Sequence, residues 1–385
     1  MENIKFDEIQ KIAIKHAVSG PKNAIITGGA GTGKTTIIKA IAEKFREQGI
    51  YVDIMAPTGK AAARLKEATG FGAGTIHRAL LWDGGAFHRF KNFDNPVIVD
   101  ESSMIDSWLM AAIIKFKPPR LILVGDPAQL PPVGKGQPFH DLIRIHPELV
   151  CELTTCYRAQ GAVHKAASAI RLGDSPAKVE KTGGESWRMT ETGGPDSTLK
   201  QLIAWIRQGF FDPLQDTILA TRYGSGEEND GGIKIINQSV KAIVNPSTET
   251  FAAGDRILIN KNFGTDDLWN GDLGVISDID ALGKPWITLD RDPGEARLLE
   301  DKHQKEMSLA YCLSVHKSQG SQFRRVFFAC FNSSQRMMTR SMIYTAVTRA
   351  QQGVCVIGQL RAFYKAINTV EDKQTVLQRL ANETV

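Results

Sequence analysis

The residues best suited to chemistry in this sequence form a glycine-rich loop between an apolar segment and a helix-forming segment. Residues 24–36 read AIITGGAGTGKTT and contain the spacing G-x-x-x-x-G-K-T. Glycines let backbone amides curl around phosphate oxygens, and the following helix adds the positive end of its dipole. The pattern therefore predicts a phosphate-binding loop (P-loop) for a nucleoside triphosphate. Its candidate contact residues are Gly28, Gly29, Ala30, Gly31, Thr32, Gly33, Lys34, Thr35 and Thr36.

A P-loop also needs a metal ion and a group that handles the attacking water. Lys34 is expected to reach the β and γ phosphates, and the Thr35 hydroxyl to ligate Mg²⁺. The apolar segment Ile98-Val99 ends in Asp100 and Glu101. We expect Asp100 to hold the metal and Glu101 to act as general base. A solvated turn is the alternative for two adjacent acids, but beside a P-loop the pattern favours an ATP and Mg²⁺ site.

Around these residues the first 150 positions alternate short apolar runs with helix-forming segments, which is typical of a parallel sheet covered by helices. Ligands of such sheets bind beyond the carboxyl ends of the strands, where the polar clusters fall. The predicted strands are Ala24–Thr27, Val52–Ala56, Val97–Asp100 and Leu121–Gly125, and the predicted helices are Thr35–Gln48 and Lys60–Ala68.

A second α/β region is predicted from separate pieces. Its strands are Thr217–Thr221, Val326–Phe331 and Val354–Gly358, and its helices are Ala162–Leu172, Ser197–Gln208 and Thr339–Arg349. Gly173–Asp196 and Arg222–Gly232 have the composition of loops. Between Phe251 and Leu309 short strands with tight turns indicate a small β-barrel insert.

The string Gly125-Asp126-Pro127-Ala128-Gln129-Leu130-Pro131-Pro132-Val133 follows a predicted strand. With this string the sequence resembles the superfamily 1 helicases, in the subgroup of RecD-like, Dda-like and Pif-like enzymes. The resemblance extends from about Gln10 to Ala350. It implies that Gln129 senses the γ phosphate.

Other motifs occur in the order of that family. Gln10 matches the glutamine that hydrogen-bonds the adenine edge, although a glutamine in an N-terminal helix is also commonly just solvated. Arg158, in Leu153-Thr154-Thr155-Cys156-Tyr157-Arg158, and Arg349, in Tyr344-Thr345-Ala346-Val347-Thr348-Arg349-Ala350, match arginines that reach ATP from the opposite domain. A surface salt bridge is the alternative for Arg158. The amide of Gly320 is expected to approach ATP.

The resemblance also implies contacts to the backbone of single-stranded DNA, made by hydroxyls, cations and helix N-termini without base readout. These candidates are Pro57, Thr58, Lys60, Thr75, His77, His316 and Lys317. For His77 a structural histidine is the alternative. Gln322 stands where the family commonly has a glutamate associated with the nucleotide sugar, which puts a preference for ribose in doubt.

A candidate strand-separating pin lies between Leu80 and Pro96. Asp83-Gly84-Gly85 between apolar flanks is a hairpin signal, and the family inserts its pin here. The aromatic residues Trp82, Phe87 and Phe90 either stack on bases at the fork or anchor the hairpin onto the domain.

Together these features predict an α/β protein with two RecA-like parallel-sheet P-loop domains. The expected boundaries are 1–150 for the first domain with a hairpin insert at 81–96, 151–250 and 310–385 for the second, and 251–309 for an SH3-like β-barrel insert in the second domain. The resemblance implies an ATP-dependent DNA helicase that travels 5′ to 3′ on single-stranded DNA and acts at junctions with duplex, in replication, recombination or repair. Replication or repair proteins are candidate partners, and activity as a monomer is expected.

Two alternatives stay open at this point. One is a DNA-stimulated translocase subunit of a larger repair complex that does not unwind by itself; the other is a P-loop kinase or signalling NTPase. Composition does not separate them, because a net charge of +5 permits a polyanionic partner without requiring one. No apolar run approaches the roughly 18 residues of a membrane helix, and the five cysteines lack zinc spacing. A cytoplasmic protein without a membrane partner is expected.

Overall fold

The computed structural model describes residues 5–157, 161–221 and 232–371. The chain divides into two compact units. Of the described residues, 5–157 form the first unit, and 161–221 together with 232–371 form the second. Each unit is described by itself.

The first unit alternates strands and helices, as the sequence predicts. Its elements are α1 (Glu8–Ser19), β1 (Asn23–Gly28), α2 (Lys34–Glu47), β2 (Asp53–Ala56), α3 (Gly59–Thr69), β3 (Ala73–Thr75), α4 (Ile76–Ala79), β4 (Val97–Val99), α5 (Ser107–Lys115), β5 (Leu121–Gly125), α6 (Pro138–Ile145) and β6 (Val150–Leu153).

These six strands form one parallel sheet in the order β3-β2-β4-β5-β1-β6. Both faces of its central strands are buried. In β5, Leu121 and Leu123 enter one hydrophobic cluster while Ile122 and Val124 enter another, and β1 and β4 alternate in the same way. Burial on both faces explains why these strands read as continuous apolar runs.

The second unit contains a larger set of elements. They are α7 (Ala162–Leu172), β7 (Val179–Thr182), β8 (Glu185–Glu191), α8 (Pro195–Arg207), β9 (Thr217–Ala220), α9 (Ile233–Val244), β10 (Arg256–Ile259), β11 (Leu273–Ile279), β12 (Pro285–Leu289), β13 (Asp292–Leu298), α10 (Asp301–Gln304), β14 (Met307–Leu309), β15 (Cys312–Ser314), β16 (Phe323–Cys330), α11 (Arg340–Thr348), β17 (Ala350–Gly358) and α12 (Leu360–Ile367).

Two sheets organise this second unit. The first has the order β15-β9-β16-β17-β8-β7 and is parallel except for β7, which pairs antiparallel with β8. The second is antiparallel, has the order β13-β12-β11-β10-β14, and spans the region where a β insert is expected. Its core is apolar, with Ile257, Ile276 and Ile287 fully buried.

The prediction that Gly173–Asp196 is a loop is wrong, because this stretch contains β7 and β8. Gly183 and Gly184 both have positive φ, and they connect the strands as a two-residue hairpin turn of the kind that needs glycine. Trp187 lies in β8 and is almost fully buried. The Gly, Thr and Pro content of this stretch is typical of a loop, and for that reason the strand β8, which lies inside the sheet, was not predicted. The predicted loop Arg222–Gly232 lies outside the described residues except for Gly232.

A buried ion pair joins the antiparallel insert to the parallel sheet's helices. Lys241 of α9 contacts Asp255, which precedes β10, and both side chains are nearly inaccessible to solvent. Asp255 also accepts hydrogen bonds from Asn245 at 2.9 Å and from the Tyr311 hydroxyl at 3.0 Å. Burial and the Asp255 carboxylate raise the pKa of Tyr311, so the phenol stays a donor. These bonds fix the point where the insert begins.

Candidate nucleotide and nucleic-acid site

The phosphate loop joins β1 to α2, as its sequence predicts. Gly31 and Gly33 have φ values of 82° and 86°, a region that side chains other than glycine disfavour. Gly28 is required for packing, because a Cβ atom there would lie 2.5 Å from Thr32 Oγ1. The Thr32 hydroxyl is buried and donates to the Gly29 carbonyl at 3.0 Å. The loop is thus held in shape by its own residues.

Lys34 is the first residue of α2, with Thr35 and Thr36 next to it in the first turn. Its ammonium donates to the carbonyl oxygens of Gly28 at 2.8 Å and Gly29 at 2.9 Å. The cation therefore lies against the loop assigned to phosphate. An ammonium and the amino end of a helix at one loop are the groups that bind a polyphosphate.

Asp100 and Glu101 follow β4 directly. The Asp100 amide donates to the Met55 carbonyl of β2 at 3.0 Å, which fixes the end of the strand. Burial and the adjacent Glu101 carboxylate raise the pKa of Asp100 to about 6, while Lys34 and Arg64 oppose this shift. Glu101 has a φ of 52°, a left-handed backbone conformation that is uncommon for a residue with a side chain.

The loop from β5 to α6 carries Gln129. Asp126 is fully buried and its carboxylate accepts from the Ala128 amide at 3.0 Å, while its carbonyl accepts from the Gln129 amide at 3.1 Å. Gln129 itself is nearly buried. Gly125 lies where a Cβ atom would be 3.0 Å from the Phe139 ring. Packing and turn bonds together set the backbone of the loop that carries Gln129.

Gln10 contacts the phosphate loop from α1. Its amide Nε2 donates to the Thr32 carbonyl at 3.3 Å, and its Oε1 accepts from the Asp7 amide at 3.2 Å in a helix capping box. The side chain is nearly buried, so the solvated alternative is wrong. A Cβ atom at Gly33 would lie 3.0 Å from Nε2, so the glycine leaves the space that lets Gln10 approach the loop.

Tyr157 is a site residue that the sequence did not single out. Its amide donates to the Gly31 carbonyl at 2.9 Å, and its hydroxyl donates to Asp7 at 2.5 Å. The Tyr157 hydrogen bond holds the pKa of Asp7 below its usual value, and the pKa of Tyr157 rises accordingly. The one signal in the sequence was its place beside Arg158 in a family motif. Arg158 lies outside the described residues.

All of these groups lie at one edge of the first sheet. The phosphate loop, the Gln129 loop and Asp100 follow β1, β5 and β4, which are neighbours in the sheet. Parallel strands present their carboxyl ends at the same edge. The structure therefore brings the predicted nucleotide residues of this unit together.

The first set of candidate DNA contacts continues along the same edge. Pro57 and Thr58 follow β2, and Thr75 is the last residue of β3. Thr58 Oγ1 accepts from the Ala61 amide at 3.2 Å, and Thr75 Oγ1 accepts from the Arg78 amide at 3.1 Å. Both hydroxyls therefore cap helices. Lys60 and His77 lie in the first turns of α3 and α4, where helix N-termini favour anions.

His77 belongs to a surface cluster of aromatic residues. Trp82 and Phe87 face each other across an antiparallel bridge with ring centroids 4.8 Å apart, and both pack on Trp108 at 5.0 Å and 4.6 Å. The His77 ring lies about 6 Å from both. Burial lowers the pKa of His77, although Asp106 opposes the shift. Nothing in the spacing of the sequence pointed to Trp108.

The turn of the candidate pin is built by Asp83. Its carboxylate accepts from the amides of Gly85 at 2.8 Å and Ala86 at 2.9 Å, and it pairs with His88. Trp82 and Phe87 are half-buried, and their rings pack on Trp108. Phe90 differs from them because its side chain is 92% exposed.

In the second unit, the residues that resemble the ATP-contacting motifs meet at the start of β16 and β17. The Phe323 amide donates to the Arg349 carbonyl at 2.9 Å. Arg349 is the C-cap of α11 and is nearly buried, and its Nε donates to the Thr345 carbonyl at 3.3 Å. Gly320 is buried with a φ of 76°. Gln322 accepts a hydrogen bond from Gln351 at 3.3 Å.

His316 and Lys317 follow β15 in the same unit. His316 is exposed, whereas Lys317 is half-buried and its ammonium donates to Asn270 Oδ1 of the insert at 2.7 Å. Burial lowers the pKa of Lys317. Asn270 thus positions a candidate DNA cation, a role that its place in a turn of the sequence did not reveal.

The side chains expected to bind Mg²⁺ are of the chemical types that this ion prefers. Mg²⁺ binds through one or two carboxylates, a hydroxyl and substrate phosphates rather than through a cage of protein ligands. Asp100, which follows β4, and Thr35, in the first turn of α2, supply a carboxylate and a hydroxyl of this kind. Within the described residues, no group of three or more His, Cys, Asp or Glu side chains could hold a metal by itself.

Across the described ranges, no helix combines the length and apolarity needed to cross a membrane.

Comparison with known proteins gives two family matches. Residues 5–187 match the model of an AAA domain, and residues 309–357 match the model of a UvrD-like helicase C-terminal domain. The first covers the phosphate loop, Asp100, Glu101 and Gln129. The second covers Gly320 and Arg349.

Among characterised relatives, the chain is 32% identical over 375 residues to the ATP-dependent RecD2 DNA helicase of Deinococcus radiodurans, covering 92% of this chain and 49% of that protein. The chain thus spans about half the length of this relative. It is 30% identical over 420 residues to the RecBCD enzyme subunit RecD of Mycolicibacterium smegmatis, covering 97% of this chain and 74% of that subunit.

Solved structures agree on the fold. Bacteroides Pif1 bound to single-stranded DNA superposes with a TM-score of 0.57 at 15% identity, over 96% of this chain and 95% of that chain. Pif1 helicase from Candida albicans gives a TM-score of 0.56 at 18% identity, over 99% of both chains. These matches show an α/β fold with a RecA-like parallel-sheet core. On its identity to the RecD proteins, the chain belongs to the RecD-like helicases of superfamily 1.

Proposed function

We propose that this chain uses ATP and Mg²⁺ to move 5′ to 3′ along single-stranded DNA and to separate duplex strands ahead of it. The observation that supports this most is the arrangement along one sheet edge. Nucleotide residues follow β1, β5 and β4, and candidate DNA contacts follow the adjacent β2 and β3. A movement of the phosphate loop after β1 is transmitted to the loops after β2 and β3, because the intervening strands are hydrogen-bonded to one another.

In this proposal each residue keeps a specific task. Lys34 neutralises the transferred phosphate, and Thr35 with Asp100 holds Mg²⁺. Glu101 takes the proton of the attacking water, Gln129 senses the γ phosphate, and Arg158 and Arg349 stabilise the charge that develops in the transition state. Gln10 and the amide of Gly320 contact the nucleotide.

DNA contacts are proposed at Pro57, Thr58, Lys60, Thr75, His77, His316 and Lys317. These groups offer hydroxyls, cations and helix N-termini, which bind phosphates without reading bases. Binding should therefore tolerate any sequence and weaken as salt rises. We also propose that the antiparallel insert at 256–309 is the SH3-like element of the family.

The test is strand separation with ATP on duplexes that carry a 5′ or a 3′ overhang. Unwinding from the 5′ overhang is expected. Unwinding only from the 3′ overhang would contradict the polarity, and ATP hydrolysis that DNA does not stimulate would contradict a nucleic-acid motor altogether.

A second candidate is a translocase subunit that moves without separating strands. The inward packing of Trp82 and Phe87 on Trp108 favours it, because it leaves Phe90 as the exposed aromatic of the candidate pin. DNA-stimulated ATP turnover without release of a labelled strand from either duplex would support this candidate. Strand release by the chain alone would exclude it.

A further inference from the structure

The second unit contains a hollow of about 570 Å³ that none of the proposed nucleotide or DNA residues lines. We propose that this hollow, named here the β8 hollow, binds a short acidic segment of a partner protein that carries an aromatic side chain. It is bounded by Lys181, Arg188, Trp205, Phe210, Arg325 and Phe327. The proposal is independent of the helicase activity.

The walls of the β8 hollow are aromatic. Trp205 comes from α8 and Phe327 from β16, with ring centroids 6.0 Å apart. Phe210 follows α8 and is 54% exposed, so its ring is accessible at the edge of the hollow. Rings on two sides of a concave space create a place for another flat apolar side chain. The volume falls within the range of small-ligand pockets, roughly 300 to 1,000 Å³.

The rim of the β8 hollow is positively charged. Lys181 in β7 and Arg188 in β8 are exposed, and no carboxylate pairs with either of them among the residues that the structure describes. Arg325 differs, because Asp216 holds its guanidinium at 2.6 Å. Two unpaired cations next to an aromatic pocket are complementary to carboxylates next to an aromatic ring.

A strand of nucleic acid fits these observations less well. Such strands follow open grooves with cations spaced along the backbone and with aromatic platforms for successive bases. The β8 hollow lies on one face of the sheet and carries its two unpaired cations together on one side, from the β7–β8 hairpin. A short peptide whose acidic residues lie next to an aromatic residue matches this arrangement of two cations beside aromatic rings.

The experiment measures fluorescence anisotropy of a fluorescein-labelled peptide of three acidic residues followed by Gly-Phe-Phe, titrated with the full chain. Saturable binding is expected. Arg188→Glu places a carboxylate against the acidic residues and should weaken binding about tenfold or more, because like charges at an interface are costly. Lys181→Glu should act in the same direction.

Arg361→Glu is the matched control. Arg361 is exposed in α12, whose residue Phe363 contacts Trp187, a side chain that points away from Arg188 because neighbouring strand residues alternate in direction. This variant should bind the peptide as the unchanged chain does, and all three variants should keep DNA-stimulated ATPase activity. A peptide with lysines in place of the acids should not bind.

Three outcomes would overturn the proposal: no binding of the acidic peptide, binding that Arg188→Glu leaves unchanged, or equal loss of binding in Arg361→Glu. Displacement of the bound peptide by an oligothymidine would assign the β8 hollow to nucleic acid instead. Because the readout is peptide binding, a failure here leaves the proposed motor activity untouched, and a failure of unwinding leaves this proposal standing.

Discussion

The backbone amide of Glu101 donates a hydrogen bond of 2.9 Å to the carboxylate of Asp100. This bond accompanies the left-handed backbone of Glu101, whose φ is 52°. Such a conformation costs of order 1 to 3 kcal/mol and persists where the surroundings enforce it. The Asp100 carboxylate thus helps to hold the strained Glu101 backbone, and the two adjacent acids have different backbone conformations.

Glu101→Gln should lower the turnover number for ATP by about 10² to 10⁴-fold, because general bases contribute on that scale. ATP binding should persist, since the amide keeps the size and leaves Lys34 in place. Single-turnover hydrolysis and binding of a fluorescent ATP analogue measure the two effects separately. Turnover close to that of the unchanged chain would remove Glu101 from the proposed role.

Lys34→Ala should reduce ATP hydrolysis by at least about 100-fold. The substitution removes a positive charge that is already in place to stabilise the negative charge developing on the transferred phosphate. Lys39→Ala is the control, since it removes a cation from the same helix without touching the loop. Steady-state ATPase assays with single-stranded DNA compare the two. Similar losses in both variants would indicate a general effect of charge rather than a phosphate contact.

Lys317→Ala should weaken binding of single-stranded DNA equally for all sequences. It should also reduce the slope of log K against log salt by about 0.7, the value for one phosphate contact on a single strand. Asn270→Ala should weaken binding less, because it frees the Lys317 ammonium without removing it. Anisotropy titrations at several salt concentrations measure both quantities. An unchanged salt slope in Lys317→Ala would exclude a phosphate contact there.

Phe90→Ala should lower the rate of unwinding while leaving the melting temperature and DNA-stimulated ATPase activity unchanged, because this side chain is exposed. Trp82→Ala should lower the melting temperature instead, since its ring packs on Phe87 and Trp108. Removal of a buried Trp costs about 3 to 5 kcal/mol, and this half-buried one less. Equal unwinding by Phe90→Ala and the unchanged chain would show that Phe90 does not separate strands.

Asp216→Asn should destabilise the second unit by on the order of 3 kcal/mol near neutral pH, because it leaves two arginines facing a neutral amide. Burial alone would raise the pKa of Asp216, but hydrogen bonds from Arg324 and Arg325 outweigh it and hold the pKa below the ordinary 3.8. The ion-pair stabilisation is therefore present above about pH 4 and lost as the pH falls through the lower folded value.

Urea unfolding at several pH values tests this sign. The difference in unfolding free energy between the unchanged chain and Asp216→Asn should shrink as the pH drops below 4. Asp174→Asn, at an exposed position of the same unit, is the control and should show little effect at any pH. A difference that grows in acid would contradict the lowered pKa.

The sequence predicted the first unit well because its strands are apolar on both faces. The runs at 24–27, 97–100 and 121–125 stand out from the polar residues that follow them, and those polar residues are the candidate site residues. The stretch containing β8 could not be recognised in the same way. Its buried positions, such as Trp187 and Met189, alternate with polar ones, and the nearby glycines and threonines suggested a loop.

Within the site, the residues recognised from the sequence are those in contiguous motifs. Tyr157, Asn270 and Trp108 were not recognised because their contacts arise from folding. Tyr157 meets Asp7 across 150 positions of sequence, and Asn270 meets Lys317 across 47. Such pairings depend on the chain's path in space, and no local pattern encodes them.

Tyr157 links the phosphate loop to the start of α1. Its amide holds the Gly31 carbonyl, and its hydroxyl holds Asp7 at the start of α1. A displacement of the loop must therefore either break the first bond or carry Tyr157 with it. Gln10 of α1 also donates to the Thr32 carbonyl, so the loop and the amino end of this helix are bound to each other at two points and should shift as one body.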